Sequence, residues 1–206
     1  MLKTLQLKII FWIAVATWLV GLLLMGLPVT EAMLKPSGIV LAVVTAVVAI
    51  FDKWVWKWNL LHPWLVSTPN LNGTYSGTIG PLSTDSAAEE ATRKIDCYLS
   101  IHQTLSGITV RLYTEESDSV SIASDLRSSD DNRWDLRYLY ENYPAQRVRS
   151  HSPIHCGGVT LAVDDKSSRR LTGCYWTDRG TKGEMLFQRV SRDPSKSYKE
   201  ATEKLT

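Results

Sequence analysis

The sequence predicts an all-β fold, a small eight-stranded antiparallel β-barrel, preceded by a two-helix transmembrane hairpin. Three observations predict it. Two uncharged apolar runs, Ile9–Leu27 and Ile39–Phe51, stand near the start of the chain. From Leu71 onward the apolar period changes to two, the spacing of half-buried strands. Between these regions, Trp54, Trp56, Trp58 and Trp64 alternate with Lys53 and Lys57. Indole and ammonium side chains favour the headgroup boundary of a bilayer, so residues 37–66 mark the joint between an anchor and a water-facing domain.

The first run is nineteen residues without a charge. At ~1.5 Å per residue it spans about 28 Å, close to a hydrocarbon core of ~30 Å. A signal peptide would carry a shorter apolar core, and no second apolar run would follow at once. Pro28 ends this helix and Pro36 suits the first turn of the next. The short loop between them makes the pair an antiparallel hairpin, with spans at about 9–27 and 37–56. Pro36–Phe51 covers only about 24 Å, so the second helix either continues through the Trp-Lys repeat or thins the bilayer. Lys3, Lys8, Lys53 and Lys57 share one side of the hairpin, which places both termini in the cytoplasm. Neither apolar run, Ile9–Leu27 or Ile39–Phe51, contains an ionisable residue, which disfavours a transporter or proton pump. Ala14, Thr17 and Gly21, and then Ala42, Thr45, Ala46 and Ala49, supply small faces for packing within the hairpin or between chains.

Residues 67–192 read as a cytoplasmic ligand-binding barrel. Asn72–Ile79 is the first strand. Residues 81–94 are a polar connection with room for one helical turn. Ile95–Thr104 alternates Ile95, Cys97, Leu99 and Ile101 against Asp96, Tyr98, Ser100 and His102. Ile108–Tyr113 and Ser119–Ala123 follow, and then Trp134–Tyr140 with Trp134, Leu136, Tyr138 and Tyr140 on one face. His155–Asp164, Arg169–Arg179 and Lys182–Arg189 complete eight strands joined by loops that suit antiparallel hairpins. Eight such strands close into a barrel, with a two-sheet sandwich as the alternative. Residues 193–206 read as a polar, frayed tail.

Charge and composition exclude several functions. Residues 1–69 hold five Lys against Glu31 and Asp52, and residues 70–206 hold eighteen Lys or Arg against nineteen Asp or Glu. A soluble part at −1 has no field for long DNA or RNA, although local cations can hold a small anion. Cys97, Cys156 and Cys174 are odd in number and widely spaced, as free thiols in a reducing compartment are. No nucleophile elbow, zinc-protease motif, phosphate loop or dinucleotide fingerprint is present, so no catalytic residue is assigned and no cofactor is called for. His151, His155 and Cys156 lack an evident fourth ligand for a zinc site. Asp130–Asp131 and Asp164–Asp165 fall in turns, where Asp bonds its own backbone.

Binding is the more natural chemistry. Tyr138 and Tyr140, with Tyr75 and Tyr175 on neighbouring strands, offer rings that stack on a base, and packing inside the barrel is their alternative role. Arg111 and Arg179 are placed to pair with a phosphate.

In order, NGTYSG, the serines of SDSVSIAS, YLYENYP, IHCGG and LTGCYWTDRGTKG behind a membrane hairpin resemble the SMODS-associated two-transmembrane β-barrel effectors of CBASS, a bacterial anti-phage system. The resemblance implies that a CD-NTase cyclase makes a cyclic di- or trinucleotide, which the barrel binds. The effector then forms a homo-oligomer in the inner membrane and disrupts that bilayer, so that the infected cell dies. By position, the resemblance implies ligand contacts at Tyr75, Ser121, Tyr138, Tyr140, Asn142, His155, Tyr175 and Arg179. GTYSG is also similar to the first-strand Gly-x-Trp of lipocalins, with Tyr75 in the Trp place. A membrane-anchored lipocalin-like carrier is therefore the rival reading, and a membrane enzyme a distant third.

Overall fold

The computed structural model describes residues 12, 14–21, 23, 38–81, 94–129, 133–164 and 168–205. The chain divides into two units, residues 1–68 with 104–106, and residues 69–103 with 107–206.

In the first unit, most of the span expected at 9–27 lies outside the described residues, and residues 14–21 are helical. The second span is shorter than expected. Helix α1, Gly38–Lys53, does not continue to residue 56. Its end is fixed by Asp52, whose carbonyl accepts from Leu105 N–H (3.0 Å) and whose Oδ1 accepts from Ser106 N–H (2.8 Å). With that carbonyl satisfied outside the helix, the chain tightens into 3-10 turns at Val55–Lys57 and Asn59–Leu61. Among the described residues, no helix is long and apolar enough to cross a membrane. Trp54, Trp58, Leu60 and Trp64 are exposed, whereas Trp56 is fully buried. The Trp56 carbonyl accepts from His62 Nε2 at 3.0 Å.

The second unit is a closed barrel of eight antiparallel strands in sequence order, with β8 pairing back onto β1. The strands are β1 Gly73–Pro81, β2 Ile95–Gln103, β3 Ile108–Tyr113 and β4 Ser117–Ser128. They continue as β5 Trp134–Pro144, β6 His155–Val163, β7 Arg170–Thr177 and β8 Lys182–Ser191. The expected alternation sets the faces: Leu99, Ile101, Val110, Leu136, Leu161, Leu171 and Phe187 fill the interior. Closure removes every sheet edge, which the sandwich alternative would have left exposed. The helical turn considered within residues 81–94 falls outside the described residues except at its two ends.

One end of the barrel is sealed. Tyr75 is fully buried there, with its hydroxyl 3.0 Å from the carbonyls of both Leu71 and Ser168. The Arg189 guanidinium lies 5.6 Å from the Tyr75 ring centroid, and its Nη1 donates to the carbonyls of Asn70 and Asn72. Gln103 and Asn72 exchange three backbone–side-chain hydrogen bonds with this segment, at 2.7–3.0 Å.

The C-terminal tail is not frayed. Residues Tyr198–Glu203 form helix α2, capped by the Ser197 side chain, which accepts from Glu200 N–H. The reason is an outward-facing apolar pair, Tyr98 and Tyr113, that Ala201 and Tyr198 cover. The Ser195 carbonyl accepts from Ser100 Oγ at 2.7 Å, and Thr74 Oγ1 donates to the Asp193 carbonyl at 2.8 Å.

Candidate ligand-binding site

The opposite end of the barrel gathers most of the expected contacts. Tyr140 on β5 pairs in register with Ser121 on β4 and Gly157 on β6, and Asn142 pairs with Ser119 and His155. Tyr138 pairs with Val159, whose other partner is Tyr175 on β7, and Gly157 pairs also with Thr177. Strand alternation turns all of these side chains inward toward one mouth.

Two glycines make room for the rings. A Cβ at Gly157 would stand 2.5 Å from the Tyr140 hydroxyl, and one at Gly183 would stand 2.6 Å from Tyr175 Cε1. The two tyrosines therefore lie across neighbouring backbone. Tyr138 and Tyr140 are 6.3 Å apart between centroids and tilted by 55°. Tyr138 is buried beneath, while Tyr140 and Tyr175 are half-buried. Burial is the main cause that pushes the Tyr140 phenol up to about 12, with Tyr175 adding to it and Arg179 opposing. Burial also raises the Tyr175 phenol, again against Arg179. Both hydroxyls are therefore neutral near pH 7 and able to donate.

Arg179 stands in the β7–β8 turn at the rim. Its Nη1 donates to Ser152 Oγ at 3.3 Å and its Nη2 approaches His155 Nε2 at 3.4 Å. His155 Nδ1 lies 3.0 Å from the Pro153 carbonyl. A carbonyl only accepts and a guanidinium only donates, so the proton sits on Nδ1 and Nε2 receives Arg179. His155 is buried and serves as a bracket for the arginine. Ser121 Oγ accepts from Val110 N–H at 2.9 Å beside the bulge in β4.

Two expected contacts are placed elsewhere. Tyr75 belongs to the sealed end. Arg111 pairs in register with Ser100 and Val120, opposite to the inward positions, and stands beside Tyr113 and Asp118 on the outer wall. Alternation within β3 already opposed Arg111 to Val110, and the strand gave no reason to turn it inward. Gly157, Gly183 and Ser152 are part of the mouth and were not picked out as site residues. The glycines had a signal, since each stands opposite a tyrosine once register is known. Ser152 had none, because its loop position depends on Gln146–Val148 turning the chain.

Among the described residues, no three His, Cys, Asp or Glu side chains converge as a metal-ligand set. The mouth thus offers two neutral phenols, a carboxamide, serine and threonine hydroxyls and one bracketed guanidinium. Such a set stacks on flat rings and holds an anionic group, and it contains no nucleophile paired to a base.

Residues 66–189 match the protein family described as Cap15, cyclic dinucleotide receptor domain. No curated protein matches the chain. A solved redesigned beta barrel is similar at 12% identity, covering 58% of this chain and 90% of its own, with a TM-score of 0.29, too low to carry an argument.

Proposed function

This chain belongs to the Cap15 cyclic dinucleotide receptor family, a family of CBASS effector domains, and we propose that its barrel holds a cyclic oligonucleotide at the open mouth. The observation that carries this reading is the convergence of Tyr140, Tyr175 and the His155-bracketed Arg179 at one end of a closed barrel. A base stacks on the exposed part of the tyrosine rings while Arg179 pairs with a phosphate. Asn142 and the phenol hydroxyls supply neutral donors to the remaining polar edges. The ligand sits at the rim, because the middle of the barrel is filled by side chains. That filling disfavours the lipocalin-like carrier, whose apolar cargo needs an interior cavity. The expected ligand set narrows accordingly to Ser121, Tyr140, Asn142, Tyr175 and Arg179, with Tyr138 supporting Tyr140 and His155 positioning Arg179.

The remaining steps belong to the same proposal. Residues 9–27 and α1 anchor the chain in the inner membrane, with both termini cytoplasmic. Val43, Val47 and Ile50 form an exposed stripe on α1 at helical spacing, and Trp54, Trp58 and Trp64 form the belt beyond it. At about 24 Å, α1 spans a locally thinned bilayer. A CD-NTase cyclase supplies the messenger, the liganded chains assemble, and the gathered helices disrupt the membrane. By linkage, the messenger must bind the assembled state better than the free one.

The test is calorimetric titration of the full chain in nanodiscs with cyclic di-AMP, cyclic di-GMP, cyclic GMP-AMP and a cyclic trinucleotide. Sub-micromolar binding by one of them, weakened in Arg179→Ala, is the expected result. Absence of heat from all of them, together with lipid that co-purifies with the barrel, would transfer the assignment to the carrier.

A further inference from the structure

We propose that the outer wall of β4, β5, β6 and β7 is the face through which two copies of this chain join. The inference rests on the self-assembly reading above and names the surface that reading requires.

The wall breaks the barrel's own rule. Outward positions of a solvated barrel are polar, yet a single row across these four strands is apolar. Ala123 pairs with Leu139, Leu139 with Gly158, and Gly158 with Trp176. Leu139 is 46% exposed and Trp176 is 55% exposed. A bulge in β4 between Ser121 and Ala123 adds an extra residue, Ile122, which is 62% exposed. Bulges redirect side chains, and this one sets Ile122 and Ala123 together on the outer face, where strict alternation would have turned Ala123 inward. The bare backbone of Gly158 forms the floor of a groove of about 320 Å³, and Trp176 forms one wall. A Cβ at Gly158 would sit 2.6 Å from Trp176 Cε2, so the indole rests directly on that strand. Exposed apolar surface collected into one patch is the mark of an interface, whereas scattered apolar residues are not.

Charge identifies the occupant. At one end of the row, Asp125 pairs in register with Arg137, and Arg127 pairs with Asp135. Arg127 bonds Asp125, and Arg137 bonds Asp135 at 3.0 Å. Two acids and two bases in a checkerboard attract neither a polyanion nor an anionic bilayer. They do match a copy of themselves turned about a two-fold axis, where Arg137 of one chain meets Asp125 of the other. The same two-fold, running between β4 and β5, sets Leu139 of one copy against Ala123 and Ile122 of the other.

The wall also shares its backbone with the mouth. Leu139 lies between Tyr138 and Tyr140, Gly158 follows Gly157, and Trp176 follows Tyr175. A ligand that draws Tyr140 and Tyr175 together on the inner face moves Leu139 and Trp176 on the outer one. The face therefore responds to the messenger without touching it.

The experiment measures assembly of the full chain in detergent micelles by light scattering, before and after cyclic di-AMP, cyclic di-GMP and cyclic GMP-AMP. Wild type is expected to assemble with the nucleotide that binds. Leu139→Glu and Ile122→Glu should each raise the concentration needed for assembly by about tenfold or more, with the nucleotide affinity of the unassembled chain unchanged. Leu186→Glu, on the outer wall of β8 and 52% exposed in the native residue, should assemble as wild type does. Asp125→Arg and Arg137→Asp should each assemble poorly alone and recover when mixed, a result that misfolding cannot produce. Normal assembly of Leu139→Glu and Ile122→Glu, equal loss in Leu186→Glu, or no recovery in the mixture would overturn the assignment of this face. Wild type that binds a nucleotide but never assembles would overturn both this face and the assembly step, leaving only the receptor.

Discussion

Arg179 is the one guanidinium that the described residues bring to the mouth beside Tyr140, Tyr175 and His155, so under the proposed function the ligand's negative charge would depend heavily on it. Removing a charge-assisted hydrogen bond costs roughly 1.5–3 kcal/mol, or about ten- to a hundredfold in affinity. Arg179→Ala is expected to weaken binding by that factor in calorimetry while the thermal midpoint holds, because the side chain is at the rim. Tyr140 makes a second prediction through its proton. Its phenol is pushed up to about 12 in the folded chain, chiefly by burial, from an ordinary value near 10. A raised folded value stabilises the fold fully below the unfolded value and loses that contribution as pH climbs through the folded one. Thermal midpoints should thus hold to about pH 10 and fall between pH 10 and 12, with a smaller fall in Tyr140→Phe. An equal fall in both proteins would mean that Tyr140 is solvated and that the mouth is wider than described.

At the scale of elements, the tail is the clearest departure from the sequence reading. Its composition is polar, and only Ala201 and Tyr198 give it an inward face. What orders it is on other strands: Tyr98 on β2 and Tyr113 on β3 point outward and need a cover. Tyr198 meets Tyr98 edge-on at 5.4 Å, and Lys204 Nζ reaches the Asp193 carbonyl and Glu200 Oε1. A polar fourteen-residue segment could not announce a partner that lies about a hundred residues upstream. Ending the chain at Arg192 uncovers both tyrosines and strips Ser100 and Thr74 of their acceptors. The expected cost is roughly 2–4 kcal/mol, read as a lower midpoint in urea with nucleotide affinity at 20 °C unchanged. The opposite pattern, intact stability with lost affinity, would place the helix in the signalling path.

Across the whole molecule, legibility follows the range of the interaction. All eight strands were legible, because period two is a local pattern that barrel closure preserves. Tyr140, Asn142, His155, Tyr175 and Arg179 were legible as a group because alternation, together with strand order, carries them to one mouth. Tyr75 was misplaced along the barrel axis. Its inward direction was right, but only the pairing with Leu99 and Arg189 tells which end it occupies. Arg111 stands opposite Val110, as alternation in β3 reads it, and so on the outer wall, and the Arg189–Tyr75 contact that seals the barrel joins positions too far apart in sequence to be read. Net charge, in contrast, needs no register. Residues 70–206 carry −1, so net charge gives the barrel no long-range field to draw in an anion, and under the proposed function recognition would rest on the short-range contacts of the mouth. Salt screens long-range attraction strongly and close, half-buried contacts much less. Raising salt from about 50 to about 500 mM should therefore weaken nucleotide binding by less than about tenfold, and stopped-flow association rates should stay near the unsteered ~10⁵–10⁷ M⁻¹s⁻¹. A steep salt dependence would require further cations at the mouth. Lys94, which stands immediately before β2, is the first to replace with glutamine in that event.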